Sequence, residues 1–98
     1  MKSDTLLAEL EEITEKLGFR IRREKGRFVG NSCVLEGDRI VMLNRNHPTE
    51  FNIGMLARFL GDQDLETMHI KPAVRKELEA FWIKSNFSRP EDRQNQDD

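Results

Sequence analysis

The sequence predicts an α+β domain in the order α-β-β-β-α-α, a three-stranded antiparallel meander packed with helices. Three observations predict it. Apolar residues recur at helical spacing from Leu6 to Leu17, the period shortens to two from Phe19, and helical spacing returns after His47. The chain of 98 residues is the size of one domain. Residues 1–84 are expected to form it, and residues 85–98 to be a disordered polar tail. That tail holds one large apolar residue, Phe87, among Ser, Asn, Arg, Gln, Asp and Pro, too little to offset the entropy of ordering.

Leu6, Leu10, Ile13 and Leu17 form one stripe, widened by Leu7, and predict a helix over about residues 4–17. Ser3 or Asp4 suits its start and Gly18 the position past its end. Phe19 and Ile21 then alternate with Arg20 and Arg22 as a half-buried strand. Lys25-Gly26 is a turn signal, and Phe28-Val29 opens a second extended segment that Gly30-Asn31 bends. Residues 32–36 and 39–43 flank Gly37-Asp38, a two-residue loop suited to a tight hairpin. That register pairs Glu36 with Arg39 as a cross-strand ion pair. It also puts Cys33, Leu35, Ile40 and Met42 on one face and Val34, Val41 and Leu43 on the other. Residues 40–43 are apolar on both faces, which predicts a strand covered on both sides, or on one side by a partner.

Pro48 or Thr49 begins the next helix, where Ile53, Leu56, Ala57 and Leu60 make one stripe and Phe51, Met55 and Phe59 an adjacent one, ending at Gly61. Pro72 opens the last helix, with Val74, Leu78, Phe81 and Trp82 as its apolar stripe.

Composition bounds the function classes. No apolar run approaches the roughly 18 residues of a membrane span. A single cysteine excludes an internal disulfide and a multi-cysteine zinc site. Met1-Lys2-Ser3-Asp4 leads into an amphipathic segment and not a secretory leader, so the cytoplasm is the expected compartment. The net charge of −2 conceals a pattern: residues 1–18 carry −3, residues 19–47 carry +4 and residues 48–98 carry −3.

The candidate sites follow from these features. Cys33 with His47 or His69 is the only nucleophile or metal-ligand set. The three lie far apart in sequence with no ligand spacing, so Cys33 is read as a core residue. Arg20, Arg22, Arg23, Lys25 and Arg27, interleaved with Phe19 and Phe28, are the candidate contacts for an anion or nucleic acid, weighed against neutralisation by the acidic first helix. Arg45, ahead of a helix start, joins them. Phe51, Met55, Phe59 and Trp82 are the candidate interaction surface, because the apolar face is wider than one neighbour covers. No carboxylate pair sits beside an apolar pocket signature and no catalytic motif is present, so no catalytic residue, metal or cofactor is assigned.

Gly30-Asn31-Ser32-Cys33-Val34 through Gly37, then Ile40-Val41-Met42-Leu43-Asn44, the following helix and Pro72-Ala73-Val74-Arg75 resemble a group of small bacterial proteins of unassigned function over about residues 18–80. The strand-hairpin-helix part is also similar to ImmA/IrrE-type metallopeptidase domains, whose helix bears His-Glu-x-x-His. Here that helix reads Phe51-Asn52-Ile53-Gly54-Met55-Leu56-Ala57, so the resemblance implies a fold without the metal chemistry. The expectation is a non-enzymatic protein-interaction domain, with a protein partner or a second copy of itself. The alternative is a nucleic-acid-binding module on strand 20–27.

Overall fold

A computed structural model describes residues 1–35 and 37–90, with residues 31–35 described by their backbone. The elements are α1 (Ser3–Lys16), β1 (Arg20–Glu24), β2 (Asn31–Leu35), β3 (Asp38–Asn44), α2 (Thr49–Gly61) and α3 (Pro72–Lys84). The α+β class and the element order agree with the sequence reading, but the antiparallel meander does not. The sheet has the order β1-β3-β2. β1 runs parallel to β3, with Arg20 opposite Ile40 and Glu24 opposite Asn44. β2 runs antiparallel to β3, with Asn31 opposite Met42 and Leu35 opposite Asp38.

The physical reason lies in β3. A meander would place β2 in the middle. The central strand pairs on both edges and is the most enclosed, and Ile40-Val41-Met42-Leu43 is the run apolar on both faces. β2 opens with Asn31-Ser32, and its mixed composition suits an edge. The chain therefore leaves β1, crosses the end of β3 through residues 25–30, descends as β2, and returns up the middle as β3.

The hairpin register also differs from the expected one. Leu35 faces Asp38, so the turn ends at Gly37 and Asp38 already belongs to the strand. Gly37 has φ +87°, a conformation that glycine adopts without steric cost. The slip is two places, which preserves the alternation of faces; a slip of one would have exchanged them. Glu36 of the expected ion pair lies outside the described residues. Arg39 instead holds its guanidinium 5.4 Å from the centre of the Phe19 ring.

The helices gather with one sheet face. Leu10, Leu56, Leu60, Val74 and Leu78 are buried in one cluster with Val41 and Leu43. Ile21 and Phe19 pack against it, and Phe19 meets Phe59 edge-on at 4.8 Å. Ile40 is buried too, but it stands outside that cluster, on the opposite face with Met42, Arg20 and Arg22.

Neither Ser3 nor Asp4 caps α1; Lys2 occupies the cap position and makes no side-chain cap bond. Both side chains are engaged elsewhere. The Ser3 hydroxyl donates to Glu50 at 3.2 Å and the Thr49 hydroxyl donates to Asp4 at 3.4 Å, tying the starts of α1 and α2 together.

The expected tail is ordered at its beginning. The Phe87 N–H donates to the Trp82 carbonyl at 2.8 Å, and the Phe87 ring packs against the core. The Arg89 guanidinium donates to the carbonyls of Gly61 and Gln63 at 3.1 and 2.7 Å. Residues 85–90 thus fold back over the end of α2, while 91–98 lie outside the described residues.

Candidate functional site

Two surfaces follow from this topology. The first is the end of the sheet where β1 and β3 both finish. Asn44, the last residue of β3, is 1% exposed and organises it. Its side-chain amide donates to the carbonyls of Gly26 and Phe28 at 2.9 and 2.6 Å. Its side-chain oxygen accepts the Asn46 N–H at 2.9 Å, the local ring that Asn forms two residues ahead. The Asn52 amide from α2 donates to the Asn44 carbonyl at 3.2 Å, and the Arg45 N–H donates to the Glu24 carbonyl at 2.9 Å. The Asn44 side chain therefore ties the crossover 25–30 to the loop at Asn46, and its backbone carbonyl ties in His47 and the first turns of α2 through Asn52. Sequence reasoning did not select Asn44 or Asn52. The spacing Asn44-Arg45-Asn46 carries the signal of a side-chain-closed turn.

This arrangement divides the six cationic candidates. Arg20 pairs with Asp38 at 3.3 Å and Arg22 with Glu24 at 2.9 Å. Arg23 meets the two carboxylate oxygens of Glu11 at 2.8 and 3.3 Å. Glu11 lies on α1, so the first helix neutralises Arg23, and carboxylates within the sheet neutralise the other two. Lys25, Arg27 and Arg45 are exposed, and among the described residues none of them has an ion-pair partner. Beside them the His47 and Phe51 rings meet edge-on at 4.3 Å, with Phe51 43% exposed.

The expected apolar surface does not come together. Trp82 is buried and its indole N–H donates to the Ala57 carbonyl at 2.8 Å. Phe59 is half-buried against Phe19, and Met55 is half-buried in the core beneath Gly30. Phe51 alone of the four is exposed. An open groove of about 650 Å³ does run between the starts of α1 and α2 and the end of α3, floored by Leu6, Ile53, Ala80 and Phe81.

The second surface is the sheet's outer edge. β2 pairs with β3, and no further strand pairs with it among the described residues. Its sequence, Asn-Ser-Cys-Val-Leu, has no charge, whereas the opposite edge strand, β1, carries Arg20, Arg22 and Arg23. The side chain of Cys33 lies outside the described residues, and its backbone stands opposite Ile40. His69 borders a shallow pocket with Glu9, Glu12 and Lys71, apart from the His47–Phe51 contact. Among the described residues no three His, Cys, Asp or Glu side chains converge as metal ligands, and no helix is long and apolar enough to cross a membrane.

Compared with protein-family models, with curated proteins and with solved structures, the chain shows no match.

Proposed function

We propose that this chain is a non-enzymatic protein-interaction domain that pairs with a second copy of itself through the edge of β2. The observation that carries this reading is the contrast between the two edges of the sheet. An edge strand presents unpaired N–H and C=O groups to any strand that approaches, and charged side chains are the usual deterrent. β1 has that deterrent in three arginines, and β2 has none over its five residues. Two β2 strands related by a two-fold axis run antiparallel, so each completes the other's ladder and the two sheets become one of twice the width. The face of Ile40 and Met42, which lies away from the helical core, would then continue across the axis.

Sedimentation across a micromolar series tests the reading. The expected result is a rise from the 11.5 kDa monomer to a species of about 23 kDa. Amide exchange should slow at 31–35 as concentration rises and stay constant in α3. Cys33→Lys places like charges on the two antiparallel edges and should abolish the larger species while the circular dichroism spectrum is kept. A monomer at every concentration, or a dimer that leaves the exchange of 31–35 unchanged, overturns it.

A further inference from the structure

We propose that the end of the sheet built by Lys25, Arg27 and Arg45, with Phe51 beside them, binds the backbone and bases of a single-stranded nucleic acid. Three facts carry this, independently of self-association at β2. The first is that these cations are unneutralised. Each arginine of β1 has a carboxylate within 3.3 Å, while Lys25, Arg27 and Arg45 have no ion-pair partner among the described residues. Glu24, the chain neighbour of Lys25, is itself paired with Arg22, while Glu50 accepts from the Ser3 hydroxyl and turns toward the start of α1.

The second fact is that their backbones are held together. Asn44 pins Gly26 and Phe28, which flank Arg27, and the Arg45 N–H is bonded to Glu24, the neighbour of Lys25. Cations held on a fixed scaffold lose less entropy on binding than cations on a free loop. The third fact is the aromatic platform. Phe51 is held edge-on by His47 and keeps 43% of its surface in solvent, as a base-stacking ring does. Single strands are favoured over duplex because their bases are free to stack, and over a lipid surface because the large apolar side chains exposed there are Val29 and Phe51 alone, set among cations and not on a broad apolar face. The overall acidity of the chain does not oppose this. The negative flanks are consumed in part by internal pairs, Glu11 with Arg23 and Glu9 with Lys71, and the field at a patch is set by the groups around it.

Fluorescence anisotropy with labelled oligothymidylate tests the proposal. Three phosphate contacts on a single strand give a log–log salt slope of about −2, so affinity should fall roughly 20-fold between about 50 and 200 mM salt. The double variant Lys25→Glu, Arg45→Glu should flatten the slope to about −0.7 or less and weaken binding at least tenfold at low salt. Phe51→Ala should weaken binding roughly fivefold or more and leave the slope unchanged. Lys76→Glu, which makes one such charge reversal on exposed α3, should alter neither by more than about twofold. Ultraviolet cross-linking should map to residues 25–29 and 45–51, a readout that needs no variant. Absence of binding at low salt, equal sensitivity to Lys76→Glu, or equally tight binding of duplex, inorganic pyrophosphate or anionic vesicles overturns it.

Discussion

Replacement of Asn44 by alanine is the sharpest test of how this fold is held. The side chain makes three hydrogen bonds at 1% exposure: two donations, to the carbonyls of Gly26 and Phe28, and one acceptance from the Asn46 N–H. Asn44→Ala leaves two carbonyls and one N–H without their partners. An orphaned buried group costs about 1–3 kcal/mol. The crossover is a surface loop that can open to water, so the lower end applies and the sum is about 2–4 kcal/mol. For a domain of this size, each kcal/mol moves the melting temperature by about 4–8 °C, so a fall of roughly 10–20 °C is expected. Calorimetry or thermal circular dichroism reads it. Amide exchange should quicken first at residues 25–30 and 45–48.

Asn44→Asp sharpens the same test. It keeps an acceptor for Asn46 but sets a carboxylate against the two carbonyls that the amide now serves. Burial and those carbonyls favour the neutral acid, so the folded variant holds its proton more tightly than the unfolded chain does. Its stability should therefore rise as pH falls, a direction opposite to ordinary acid denaturation. A loss below about 3 °C for Asn44→Ala, or an Asn44→Asp variant no better at acidic than at neutral pH, would refute the role given to this residue.

Three further outcomes follow from the same contacts. Trp82→Phe keeps most of the ring's packing but removes the indole N–H bond to the Ala57 carbonyl, and should cost about 0.5–1.5 kcal/mol in denaturant unfolding. Gly30→Ala, at φ +110° with its added carbon 2.8 Å from the Met42 carbonyl oxygen, should destabilise by more than Gly37→Ala, which has φ +87° and open space around it. Paired melts of the two variants compare them. The Lys71 ammonium is held above its ordinary 10.5, chiefly by its hydrogen bond to Glu9 and then by that carboxylate's charge, with Glu12 adding to it and desolvation opposing. The stabilisation it brings is complete below 10.5 and lost as pH rises through the raised value. The melting difference between the wild type and Glu9→Gln should therefore close on alkaline titration.

Most elements were legible because each rests on a local pattern. The stripe of Leu6, Leu10 and Ile13 needs only helical geometry, and Pro72 can open a helix wherever it falls. The strand order was not local. Residues 19–24, 31–35 and 38–44 read equally well as strands in any order, and a short link between consecutive strands favours neighbours. Yet the deciding fact was already present in Ile40-Val41-Met42-Leu43: a run apolar on both faces belongs between two strands, and a meander leaves it at an edge. The hairpin register failed for a different reason. Gly37 serves as readily at the second place of a tight turn as at the first, and a slip of two keeps every side chain on its face, so the hydrophobic pattern cannot choose between the registers. Phe87 was misjudged because composition counts one apolar residue as too few. One ring suffices where Arg89 also bonds the carbonyls of Gly61 and Gln63.

The same reasoning explains why the basic middle of the chain could not be read as one site. Alternation in β1 places Arg20 and Arg22 on one face and Arg23 on the other, where Glu11 of α1 waits. Asp38 reaches Arg20 only because β3, not β2, lies beside β1. The parallel pairing thus supplies Asp38 to Arg20 and ends β1 and β3 together, so that Lys25 and Arg27 on the crossover and Arg45 on the loop after β3 leave the sheet at the same end. A meander would instead have left β3 outermost, with its apolar run as the free edge. Strand order therefore decides both surfaces at once: it puts the uncharged β2 outside, and it sets Lys25, Arg27 and Arg45, which have no ion-pair partner among the described residues, on the segments that Asn44 holds. Any change that loosens Asn44 should weaken the proposed cationic surface at the sheet end and leave the β2 edge in place, which separates the two proposed activities in a single variant.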